Sequence, residues 1–147
     1  MSYFYNYTFG MIELFVPHQK INTMELPKGY QTVMPYLILK GVQGFIDFTK
    51  EVFGAEELGI YKNDDGSIMH AEIQIGGSTI MIGETGNEWG VQNAGLYINV
   101  ENTDATFQKA LDHGAEVVMP VEDKEYGRTS GVKDPNGNTW WITQNLS

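Results

Sequence analysis

"GGSTIMI" at residues 76–82 returns sixty residues later as "NGNTWWI" at 136–142, and in each copy a tight turn runs straight into an apolar strand. The same offset relates Gly54-Ala55-Glu56 to Gly114-Ala115-Glu116, and Ile38 to Ile98. A fixed offset shared by separate segments marks a duplicated supersecondary unit, and the duplication decides the fold before any single motif does. Paired units commonly build a shared cavity, so function is expected between them.

Working outward, "TVMPYLILK" (32–40) reads as an alternating, β-branched strand. Phe45, Ile46, Thr49, Val52 and Phe53 follow at helical spacing, with Gly54 as the C-cap. Then come "EELGIYK", the turn Asn63–Gly66, the strand "IMHAEIQI" (68–75), the turn Gly76-Gly77 and "STIMIGE". The second copy runs "GLYINVE", a helix capped by Asn102 or Thr103 with Phe107, Ala110 and Leu111 on one face, "EVVMPVE", "RTSGVKD" and "TWWITQ". The predicted class is α+β: two βαβββ modules in tandem, their paired, partly open, barrel-like sheets set around a cavity. Module 1 is expected over about 29–84, a linker over 85–94 and module 2 over about 95–144, within one domain, 29–147. Residues 1–28, aromatic-rich and carrying His18, match neither copy. They read as a loosely packed extension or as an arm on a partner subunit.

Composition narrows the function. The net charge of -10 and the lack of Lys/Arg clusters argue against nucleic acid and anionic membranes as partners and favour a neutral or cationic ligand. No run reaches the ~20 apolar residues of a membrane span. With no cysteine, disulfides, thiolate metal sites and a cysteine nucleophile are excluded, and the cytoplasm is the default location. No phosphate-binding glycine loop or nucleophile elbow is present.

The period of two sorts the strands. One sheet face lies under the helix, so the more continuously apolar set belongs there: Leu37 and Leu39, then Met69, Ala71, Ile73 and Ile75, and Trp140 with Ile142. The opposite set lines the cavity: Met34, Tyr36 and Ile38; His70, Glu72 and Gln74; Thr79 and Met81; Tyr97 and Asn99; Thr139 and Trp141. That lining is mostly apolar and aromatic with few polar points, as small-molecule pockets are.

The paired modules, "FGAEEL", "MHAEIQIGGSTIMI" and above all "YGRTSGVKDPNGNTWWI" (126–142) resemble the vicinal oxygen chelate superfamily of glyoxalase, bleomycin-resistance and dioxygenase proteins, and within it the PhnB-like branch. The resemblance spans about 29–144. It implies metal ligands on the first and fourth strand of each module, which on this chain fall at Met34 or its neighbour, Met81, near Ala94 or Gly95, and Trp141. None of these suits a hard or borderline divalent ion, so no metal and no cofactor is expected. The family pairs its modules either within a chain or across a dimer, and a homodimer is expected here.

Candidate residues carry competing readings. His70 and Glu72, on one strand face, suit a general acid–base pair or a polar network under a loop. Arg128, beside Tyr126, offers a planar fork of donors to a ligand, or pairs with an acid. Tyr36, Tyr97, Trp89 and Trp141 are expected to stack on a planar or cationic ligand, with Met34 and Met81 beside them. His113 reads as a helix C-terminal residue and Asp134–Gly137 as a structural β-turn. The leading expectation is a metal-free small-molecule-binding protein whose ligand, aromatic or cationic, sits between the modules. The alternative is a lyase or isomerase using His70 and Glu72 for proton transfer, with or without a divalent metal. A third is a scaffold whose cavity Met34, Met81 and Trp141 fill.

Overall fold

A computed structural model describes residues 24–147. The expectations placed on residues 1–23, His18 among them, lie outside the described residues. The order is β1 (Tyr36–Leu39), α1 (Val42–Phe53), β2 (Glu56–Lys62), β3 (Ile68–Ile75), β4 (Ser78–Glu84), β5 (Gly95–Asn99), α2 (Thr103–Asp112), β6 (Glu116–Lys124), β7 (Gly127–Lys133) and β8 (Thr139–Asn145). The strands form two four-stranded mixed sheets, β1-β4-β3-β2 and β5-β8-β7-β6, each with one parallel pair. Neither sheet closes into a barrel.

Helix ends follow the sequence. Gly54, at φ 69°, ends α1, and its amide bonds Lys50 O at 3.1 Å. The Asn102 side chain caps α2 by accepting from Ala105 N at 3.0 Å. The start of α1 has no such residue, because Gly41 stands at its cap. Glu84, at the end of β4, supplies the anion instead: its carboxylate accepts from Gly41 N at 2.7 Å and Val42 N at 2.9 Å.

The first strand is shorter than 32–40. Pro35 has no N–H for the ladder and contributes only its carbonyl, to Met81 N at 2.9 Å, so β1 begins at Tyr36 and Met34 lies before the strand. The predicted helix-facing set holds for Leu37, Leu39, Ala71, Ile73, Trp140 and Ile142, all buried. Met69 shares that face by alternation yet is exposed, as β3 runs on past the part of the sheet that α1 covers.

Both modules contribute to one core. Trp140, on β8, stacks on Phe45 and Phe53 of α1 at ring-centre distances of 6.3 and 4.5 Å. Asn136 Nδ2 donates to the carbonyls of Lys40 and Gly41 across the modules, at 3.0 and 3.1 Å. The linker holds the outer edge of β1 through Ile38 N to Gln92 O (3.1 Å) and the reverse bond (2.8 Å). Since the helix-covered faces of both sheets meet in this core, their uncovered faces turn away from it.

Candidate functional site

On the uncovered face of module 1, register fixes the neighbours. Met81 lies opposite Glu72 on β3 and beside Tyr36 on β1, and Gly83 lies opposite His70. With no side chain at Gly83, the Tyr36 phenol crosses β4, its hydroxyl about 3.4 Å from where a Cβ would stand. It ends 3.1 Å from His70 Nδ1. His70 Nε2 lies 3.3 Å from Glu72 Oε1. The rings of Tyr36 and Tyr61 flank the imidazole at 5.5 and 5.6 Å. With the His70 proton on Nε2, the Tyr36 hydroxyl donates to Nδ1 and Nε2 donates to Glu72, giving one continuous line of hydrogen bonds.

That line has a further member. The segment Pro27–Gln31 crosses the end of the sheet: Thr79 Oγ1 donates to Gly29 O, and the Gln31 amide bonds Thr79 N and O at 3.2 and 2.9 Å. This pinning delivers the Tyr30 hydroxyl to Glu72 Oε1 at 2.6 Å. The bond to Glu72, then burial, then repulsion by that carboxylate push the Tyr30 hydroxyl up to about 12. A group raised in the folded state contributes stability that is complete below its unfolded value of about 10 and lost as pH climbs through the folded one. Alkaline unfolding of the protein is therefore expected to steepen between about pH 10 and 12. Tyr30→Phe should remove that limb and the absorbance change of a tyrosine titrating at about 12; an unchanged limb would rule the account out.

Module 2 presents a second, separate group. Tyr97 and Trp141 are neighbours across β5 and β8, and Gly131 lies beside Trp141 on β7. A Cβ at Gly131 would stand 2.6 Å from the indole, so the missing side chain lets Trp141 lie flat across β7. The Tyr97 hydroxyl donates to Asn145 Oδ1 at 3.0 Å, and Asn145 in turn donates to Asn99. Tyr97 is 53% and Trp141 36% exposed.

The remaining expected residues stand apart. Arg128 shares its sheet face with Ser130 and Val132, under α2, not with Trp141; alternation along β7 assigns it there. Its guanidinium grips Asp104 at 2.6 and 2.9 Å and Asp123 at 2.9 Å. The bond from Arg128 holds the Asp104 carboxyl below its usual range, while those from the two acids raise Arg128. The structure thus gives Arg128 the acid-pairing surroundings. Tyr126 is exposed in the β6–β7 turn and Trp89 in the linker, its carbonyl accepting from Thr85 Oγ1 at 2.7 Å. His113 caps α2 through Nδ1, 2.8 Å from Lys109 O. Tyr30 and Tyr61 did not figure among the expected residues. Tyr61 had a usable signal: the Asn63–Ser67 turn sets a hairpin register that pairs Tyr61 with His70.

A cleft of about 790 Å³ separates the modules, lined by Phe53, Ile75, Ile80, Leu96, Ile98 and Trp140 among others. Of the expected lining residues it is bordered by Tyr97 and Asn99, and it does not reach His70, Glu72 or Trp141. For a divalent ion the donors do not fit. The four positions implied by the family hold a thioether before β1, a thioether on β4, a residue without a ligating side chain at β5 and an indole on β8. Among the described residues no group of three or more His, Asp or Glu is placed to hold one.

The model of the Glyoxalase/Bleomycin resistance protein/Dioxygenase superfamily matches residues 33–142, and the chain belongs to that superfamily. An uncharacterised protein of Mycobacterium bovis is 34% identical over 122 residues, covering 75% of this chain and 80% of the relative. TioX of Micromonospora sp. ML1 superposes with a TM-score of 0.62 at 26% identity, over 78% of this chain and 99% of TioX. A PhnB protein of Bacillus cereus does so with a TM-score of 0.62 at 17% identity, over 78% and 99%, a likeness of fold alone. Among the described residues no helix is long and apolar enough to cross a membrane.

Proposed function

We propose that the chain is a metal-free small-molecule-binding protein of the glyoxalase and bleomycin-resistance type, acting in the cytoplasm as a homodimer. The ligand sits on the uncovered face of module 1, over Tyr36, Tyr61, Met81 and the His70–Glu72 pair. The observation that carries this reading is an aromatic face around a polar pair over which the described residues place only Tyr30: Tyr36 is 52% exposed. The module 2 face, with Tyr97 and Trp141, is equally open. A second copy that sets its module 2 over the module 1 face of the first would turn two open surfaces into closed cavities, and large exposed apolar surfaces ordinarily mark such contacts. Light scattering is expected to give a dimer, and elemental analysis of the purified protein no stoichiometric divalent ion; a monomer, or one retained ion per chain, would overturn the corresponding part.

One observation favours the second reading, a lyase or isomerase. The hydrogen-bonded line Tyr36–His70–Glu72 joins a hydroxyl, an imidazole and a carboxylate in the order that general acid–base chemistry uses, with Tyr30 fixing the far end. On this reading His70→Ala abolishes turnover of an enolisable substrate while far-UV circular dichroism stays unchanged. Full activity in a folded His70→Ala variant would remove the enzyme reading and leave the binding one.

A further inference from the structure

Glu72 is only 7% exposed, yet it stands on the face that neither described helix covers. Its hydrogen bonds are lopsided. Oε1 accepts from Tyr30 and His70, whereas Oε2 has no hydrogen-bond partner among the described residues. No Lys or Arg reaches the carboxylate among the described ion pairs. Among the described residues the polar side-chain atoms both sealed from solvent and unpaired are Ser130 Oγ and Asn136 Oδ1, and Glu72 Oε2 is not one of them, so it keeps some contact with solvent. A nearly buried carboxylate oxygen without a protein donor is a favourable place for a positive charge to approach.

The surroundings are aromatic. Tyr36 and Tyr61 stand on two sides of His70, the Tyr61 ring lies over Gly59 directly opposite Glu72, and the Tyr30 hydroxyl meets the other carboxylate oxygen. Ring faces attract cations, and most strongly those with a diffuse, weakly hydrated charge. We propose that Glu72 Oε2 and the rings of Tyr36 and Tyr61 form a binding site for an organic cation, a quaternary or tertiary ammonium group. One carboxylate oxygen and two aromatic walls cannot offer the six or more oxygen ligands of a hard metal ion, and a bulky ammonium needs none of them. The net charge of -10 raises the local concentration of such a ligand. The inference rests on the binding reading above and names the class of its ligand.

The test compares choline with its neutral isostere, 3,3-dimethyl-1-butanol, by calorimetric titration of the full-length protein. Choline is expected to bind at least about tenfold more tightly than the alcohol. Glu72→Gln, which keeps shape and removes charge, should bring the ratio to about one, and Tyr61→Leu, a variant independent of the Glu72 network, should lower it severalfold. Circular dichroism establishes that each variant is folded, and if Glu72→Gln is not, Tyr61→Leu decides. Equal affinity for the two probes overturns the cation site while leaving a small-molecule pocket standing. A choline preference that survives both substitutions places the cation elsewhere and also overturns it. Failure of both probes to bind the native protein removes the site together with the pocket.

Discussion

Asp134→Ala is expected to lower the unfolding free energy by about 3 kcal/mol or more, read from urea unfolding followed by circular dichroism. The carboxylate is 3% exposed and satisfies four donors. Oδ1 accepts from Asn136 N and Asn138 N, each at 2.9 Å, and Oδ2 from Asn138 Nδ2 at 3.0 Å and Trp140 Nε1 at 2.8 Å. Removing the acid orphans all of these at once, and each buried, unpaired donor costs about 1–3 kcal/mol. The damage would spread, because Asn138, once loosened, no longer presents Oδ1 to Ala94 N at 3.0 Å, where module 2 begins. Asp134→Asn should cost less. Its one oxygen can still serve the two turn amides, and only the bonds from the Asn138 side chain and the indole are lost. Equal, small losses below about 1 kcal/mol for both variants would show that the turn holds itself.

This turn is also where reading from residues worked well. Pro135 and Gly137 marked a reversal by backbone preference alone, and the bond from Gly137 N to Asp134 O at 3.0 Å is the one such a turn makes. Helices and strands were legible for the same reason, since α1 declares itself through Phe45, Ile46, Thr49 and Val52, and β3 through two alternating sets. The sequence could not reveal contacts that depend on how distant pieces meet. Tyr30 sits in a segment with no periodicity, and its bond to Glu72 spans 42 residues. Arg128 is a different case: in the structure it alternates with Ser130 and Val132 onto the helix side, a sorting that the sequence reading did not extend to this strand, and its chemistry pointed toward a ligand.

The duplication itself needs a more exact statement. Two alike units suggested a cavity between them, and the cleft that lies there takes in Tyr97 and Asn99 of the expected lining but not His70, Glu72 or Trp141. The faces bearing His70–Glu72 and Tyr97–Trp141 carry the polar and aromatic groups, and they belong to different sheets. In the proposed dimer a second chain would join the two kinds of face, which ties the test of oligomeric state to the test of the ligand.

Trp140 decides whether the two modules can be treated as separate folding units. It belongs to module 2 by sequence, but its indole rests on Phe45 and Phe53 of module 1 and donates to Asp134. If the modules share their core, the native protein should unfold in a single transition, with tryptophan fluorescence and circular dichroism coinciding. Trp140→Ala is expected to cost about 3–5 kcal/mol, the usual range for emptying a fully buried aromatic site. Because the indole also satisfies Asp134, the pair should be non-additive: the double variant Trp140→Ala/Asp134→Ala should lose less than the two single losses together, by about 0.5–3 kcal/mol. A biphasic curve in the native protein, or a Trp140→Ala loss confined to one phase, would mean that each module folds on a core of its own. In that case the exposure of the two open faces would no longer follow from a shared core, and the argument for a partner copy would rest on the aromatic surface alone.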